Sequence, residues 1–165
     1  MEKKMINKTF TNEQVFNITS WYKKMRGDEA TKHKFDCLPF KMQFALRSNI
    51  KTLEDAIQPF EEMIKDYKTQ LQSEFFTEDK TVKVTDENGA EMLKLKDEYL
   101  KEYVMRGNEL QEKLNEVSND QISLNLACYD MESILDNLDD EAIEKSGMDV
   151  DDFAMLEFMK IEEEV

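Results

Sequence analysis

The sequence predicts a mainly α fold with a small β element (α+β): a long antiparallel helical hairpin plus a minor sheet. Three observations carry that expectation. Glycine and proline are scarce, four and two in 165 residues, so breaks are few and elements are long. Charged residues make up 36 % of the chain and hydrophobic ones 40 %, which suits amphipathic helices with one buried stripe better than a thick sheet core. Apolar residues recur at helical spacing along 46–75 and 92–117, whereas 122–128 switches to strict alternation.

Taken in order, Met5-Ile6-Asn7-Lys8-Thr9-Phe10 alternates in part and reads as an edge strand. Thr11-Asn12-Glu13-Gln14 has the form of a capping box. The helix it opens carries Val15, Ile18, Tyr22 and Met25 and ends near Gly27. A charged connection over 28–38 leads to Pro39, a residue suited to a helix start. The strongest periodicity follows, at Leu46, Ile50, Leu53, Ile57, Phe60, Ile64, Tyr67, Leu71 and Phe75. One helix of roughly 35 residues here would be about 50 Å long, with Pro59 set to kink or split it. Thr81–Thr85 reads as a short strand and Asp86-Glu87-Asn88-Gly89 as a turn. A second long helix is expected from about Glu91 to Val117, with Met92, Leu95, Tyr99, Tyr103, Leu110, Leu114 and Val117 as its stripe. The two stripes are expected to hide each other along their length.

Alternation at Ile122, Leu124, Leu126 and Cys128 marks a half-buried strand. Asp139 or Asp140 caps a short helix ending at Ser146-Gly147, and Asp149 caps a last one. Met159-Lys160-Ile161 is alternatively a terminal strand beside 122–128. The minor sheet is thus expected from the N-terminal segment, 121–128 and, on that alternative, the C-terminus. The whole of 1–165 reads as a single domain: N-terminal strand, helix and connection over 1–38, helical hairpin over 39–117, strand and acidic helices over 118–165.

Net charge is −15 and unevenly placed. Residues 1–52 hold 11 basic and 5 acidic side chains, 53–128 hold 9 and 18, and 129–165 hold 2 and 14. Such a surface repels phosphate and anionic lipid, so direct nucleic-acid or membrane binding is not expected, whereas the acidic third suits a basic surface on another protein. No stretch approaches the apolar length of a membrane span, and the first residues lead into no signal-like run. Cys37 and Cys128 read as reduced cytosolic thiols.

No catalytic residues, metal ligands or cofactor site emerge. His33 is the lone histidine; with Cys37 it reads as a surface imidazole near an ordinary thiol rather than a nucleophile–base pair. Zinc needs more ligands than these. Aligning Gly89 with the glycine of a calcium loop puts Val84 at the first ligand position, so that match fails. Four scattered glycines build no phosphate loop. Asp149, Asp151 and Asp152 are explained by capping and the helix dipole, yet with Glu157, Phe153 and Phe158 they are also the best sequence guess for a partner-binding face. The many methionines fill an irregular core, with Phe153, Met155, Phe158 and Met159 as the alternative interaction face.

Leu46-Arg47-Ser48-Asn49-Ile50-Lys51-Thr52-Leu53, the Glu/Lys-rich helices and the ending Phe153-Ala154-Met155-Leu156-Glu157-Phe158-Met159 together resemble short acidic helical accessory proteins of tailed bacteriophages of gut-dwelling, low-GC bacteria. The chain departs from that pattern by a longer 26–38 connection and by Pro59. The resemblance implies a phage accessory or host-takeover product in the host bacterial cytoplasm and carries no catalytic residues. On it, the expected function is a non-catalytic inhibitor of a host protein, such as a defence nuclease of the CRISPR type, through an acidic nucleic-acid-mimicking surface. The partner is then a host or phage protein with a basic surface. Alternatives are a virion structural or assembly factor and, further off, a sponge for a signalling nucleotide using Lys23, Lys24, Arg26, Lys32, His33 and Lys34. Stripe left over from the hairpin favours a homodimer.

Overall fold

A computed structural model describes residues 2–162. They are mainly helical, with two small antiparallel sheets of two strands each. Contacts gather them into two compact units, residues 2–58 with 121–162 and residues 59–120.

The first unit begins with β1 (Lys4–Thr11) and α1 (Asn12–Gly27). The capping box forms: the Gln14 N–H donates to the Thr11 hydroxyl at 3.1 Å and the Thr11 N–H donates to the Gln14 side chain at 2.9 Å. A 3-10 turn, Lys34–Cys37, precedes α2 (Phe40–Phe75), whose first half belongs to this unit. After the second unit the chain returns as β4 (Gln121–Cys128), α4 (Met131–Asp136), α5 (Asp140–Ser146), α6 (Val150–Met155) and a 3-10 turn, Leu156–Met159.

β1 pairs with β4 from Lys4 opposite Cys128 to Thr11 opposite Gln121. Because strand side chains alternate, this register sets Ile6, Lys8 and Phe10 across from Leu126, Leu124 and Ile122 on one face. The other face is polar and tied across the strands, Asn7 to Asn125 at 3.2 Å and Thr9 to Ser123 at 2.9 Å. Lys8 lies on the apolar face but reaches out along it, its ammonium donating to the Lys160 carbonyl at 2.6 Å. Met42, Leu46, Leu53, Ile57, Val15, Leu126, Leu156 and Met159 form the core. Asn49, buried among them, clasps the backbone of one β4 residue: its amide donates to the Ala127 carbonyl and its oxygen accepts from the Ala127 N–H, both at 2.8 Å. The chain end adds one parallel bridge rather than a strand, with Tyr129 N–H donating to Met159 and Ile161 N–H to Tyr129, both at 2.9 Å.

The second unit holds the rest of α2, β2 (Thr81–Thr85), β3 (Glu91–Leu95) and α3 (Leu100–Ser118). Pro59 does not interrupt α2, but the two units divide at it. Two expectations are corrected here. Residues 91–95 are a strand, not the start of a helix. Thr81–Thr85 requires a partner, and the turn supplies one: the Asp86 carboxylate accepts from the Asn88 and Ala90 N–H groups while Gly89 takes the left-handed conformation at φ 81°. The expected seam is also shorter. Leu46, Ile50, Leu53 and Ile57 are spent on the first unit's core, and within the second unit α2 beyond Pro59 lies antiparallel to α3. There Phe75 meets Tyr103 edge-on at 5.4 Å, Leu71 lies 3.8 Å from where a Cβ on Gly107 would be, and Arg106 grips Glu74 with two N–H groups at 3.0 and 3.2 Å.

Candidate functional site

The six residues singled out from the sequence do not form one face. Asp149 caps α6 and accepts the Asp152 N–H at 2.9 Å; Asp152 returns a bond from the Asp149 N–H at 3.1 Å and takes the Lys34 ammonium at 2.8 Å. That reciprocal box buries Asp152 and turns it inward. The bond from the Asp152 N–H, aided by the Lys34 charge, holds the Asp149 carboxyl below the usual range, and the bond to Asp152 holds the Lys34 ammonium above its own. Phe158 and Met159 are core, and Phe153 and Met155 are half-buried. Asp149, Asp151 and Glu157 are exposed.

Glu157 belongs to a different feature. A groove of about 1090 Å³ opens in the first unit between α4 and the segment 157–162. Its less exposed lining, which we call the floor, is apolar: Ile134 is buried and Pro39, Leu138 and Ile161 are half-buried. Its rim carries Glu2, Asp130, Glu132, Glu157 and Glu162 against Lys4 and Lys160. Five carboxylates facing two ammonium groups over a low-dielectric floor focus a negative potential in the groove. The Lys160–Glu132 pair, at 3.8 Å, neutralises part of it. A second opening of about 1140 Å³, toward β1 and α1, shares Lys4, Glu157, Ile161 and Glu162 with the first. Apart from Glu157, none of these residues was singled out as a site residue from the sequence. The rim is assembled from segments more than 120 residues apart, and α4 is a six-residue helix with no periodic signature. The one local signal for α4 is Asp130, which caps it by accepting the Ser133 N–H at 3.3 Å.

Part of the basic 23–34 segment is tied up by its own neighbours. Arg26 donates to the Lys32 carbonyl at 2.7 Å, Lys32 pairs with Glu29 at 2.6 Å and His33 lies 2.9 Å from Asp36. Cys37 directs its thiol at the Lys34 carbonyl and at the Met148 sulfur, at 3.5 and 3.4 Å, so it and His33 have different partners. Burial pushes the Cys128 thiol up, against the pull of Lys8, which keeps it in the thiol form that is the weaker nucleophile. Among the described residues no three His, Cys, Asp or Glu side chains are placed to hold a metal, and no helix is long and apolar enough to cross a membrane. Neither a family model, nor a curated protein, nor a solved structure matches the chain.

Proposed function

We propose that this chain is a non-catalytic binding protein whose acidic groove receives a basic surface of another protein. The observation that carries this is the pairing of an apolar floor, Ile134, Leu138 and Ile161, with a carboxylate rim. Apolar floors supply affinity and charged rims supply steering and selectivity. The partner class is one whose own ligand is polyanionic, for instance a defence nuclease of a phage's host. Carboxylates ringed around a groove then compete with nucleic acid for the same cationic surface.

The test replaces Glu132 and Glu157 by Gln and, separately, Asp149 and Asp151 by Asn. A partner captured from host lysate is expected to bind the wild type with strong salt dependence, to be displaced by nucleic acid, and to bind the groove variant at least about tenfold more weakly. The Asp149/Asp151 variant is expected to bind nearly as well. A partner held equally by the groove variant overturns the proposal.

The second unit favours an additional reading as an assembly factor, because Val82, Met92, Leu93, Leu100, Val104 and Met105 are all exposed there. That reading requires the chain to copurify with particles and to leave them when Val104 is changed to Asp.

A further inference from the structure

Two of the most exposed large apolar side chains sit at the start of α2: Phe40 at 81 % and Phe44 at 70 % exposed. They are one helical turn apart, and the same line continues through Arg47 and Lys51, both exposed. Positions i, i+4, i+7 and i+11 fall within a narrow arc of a helix, so the outer face of this part of α2 is an aromatic stripe that ends on cations, with Arg47 nearer the rings and Lys51 paired to Asp55 at 2.7 Å. In the first unit this is the chemical inverse of the groove. The stripe offers rings and positive charge; the groove offers an apolar floor under carboxylates. The two also adjoin, because Pro39, the residue before Phe40, lines the groove.

Adjacent and mutually complementary patches are what a twofold interface requires, since each copy then gives one patch and receives the other. We propose that the occupant of this stripe is the groove of a second copy: the chain forms a twofold dimer in which Phe40 and Phe44 of each copy lie over Ile134, Leu138 and Ile161 of its partner, with Arg47 against Glu132 or Glu157. This goes beyond the reading above, and it has a regulatory consequence. The dimer covers the groove, so a basic partner binds by competing with the chain's own stripe.

The experiment is sedimentation equilibrium and light scattering on the full chain, with folding checked by circular dichroism. Wild type is expected to dimerise below about 100 µM, and Phe44→Asp to weaken association by roughly thirtyfold or more, as loss of a buried aromatic anchor does. Because Phe44 is exposed in the single chain, this change leaves the fold intact. Glu132→Lys combined with Glu157→Lys weakens association from the other side. Neither variant has an intact contact with itself, whereas a mixture of the two restores one contact of the pair and is expected to form heterodimer. A monomeric wild type at that concentration overturns the proposal, as does a dimer that survives in both variants or a mixture that does not associate. A dimer broken only by Val104→Asp would assign the interface to α3 and overturn it too. None of these outcomes depends on a host partner, so the groove's role in binding one stands or falls separately.

Discussion

Along the first half of α2, Met42, Leu46, Leu53 and Ile57 are all at most 2 % exposed, whereas beyond Pro59 Ile64, Tyr67 and Leu71 are only half-buried between the buried rings of Phe60 and Phe75. The apolar period is the same on both sides of the proline. What differs is the number of surfaces available to close over it. The first half lies against β4, anchored by Asn49, within a unit that also supplies α1, β1 and the chain's last helices. The second half has one helical neighbour, α3, and a two-stranded hairpin of the kind that is marginal unless packed on something. Periodicity therefore sets which face turns inward, and the count of neighbours sets how deeply it is buried.

The largest expected consequence is a contrast between two leucines. Leu53→Ala removes a fully buried side chain and should cost about 3 kcal/mol, whereas Leu71→Ala removes a half-buried one and should cost about 1 kcal/mol. Denaturant unfolding followed by Trp21 fluorescence reports on the first unit, and the aromatic NMR signals of Tyr103 report on the second. Equal losses in the two would break the comparison.

Polar burial sharpens it at the next level down. Asn49→Leu leaves the Ala127 N–H and the Ala127 carbonyl without their side-chain partner in the core, and about 2 kcal/mol should be lost from the first unit. Thr81 is also buried, and its hydroxyl donates to the Thr77 carbonyl at 2.7 Å. That carbonyl still accepts the Thr81 N–H at 3.1 Å after Thr81→Val, so this change should stay within about 0.5 kcal/mol. A Thr81→Val loss as large as that of Asn49→Leu, in the same unfolding experiment, would refute the distinction.

These contrasts also mark what was legible beforehand. The β1 and β4 strands, the capping box at Thr11 and the helix between Asp139 and Gly147 were all readable, because each rests on neighbours in sequence: alternation, a cap three residues from its acceptor, a left-handed glycine at φ 75°. Residues 91–95 were misread because Met92 and Leu95 fit a helical stripe as well as a strand. The deciding fact was the partner strand across the Asp86–Gly89 turn. Asp152 fits a partner-binding face by charge alone, but Asp149-Val150-Asp151-Asp152 has capping-box spacing, which directs the fourth residue back at the first. The groove was out of reach for a plainer reason. Its rim joins Glu2 and Lys4 to Glu132, Glu157 and Glu162, and no local pattern reports that meeting.

The smallest effect separates the two units by pH. In the first unit, burial raises the Cys128 thiol and the Tyr129 phenol, and the bond to Asp152 raises Lys34. A group raised on folding stabilises fully below its unfolded value and loses that contribution as pH rises through the folded one. The first unit should therefore weaken on the alkaline side, beginning in the thiol range above about pH 8.5. In the second unit, Arg106 lowers Glu74 and Thr77 lowers Asp79. Their contribution is present above the unfolded carboxylate values near pH 4 and fades as pH falls. Arg106 stays charged throughout, and Tyr99, raised by Glu98, titrates only above the thiol range. Acid is the less selective arm, because Asp149 in the first unit is lowered as well. The alkaline arm is the cleaner test: between about pH 8.5 and 10 the Trp21 midpoint should fall while the Tyr103 signals hold. Cys128→Ala should remove the earliest part of that fall, since it deletes the lowest-titrating of the raised groups. If both reporters decline together there, the two units share one alkaline transition and burial around Cys128 and Tyr129 is not what divides them.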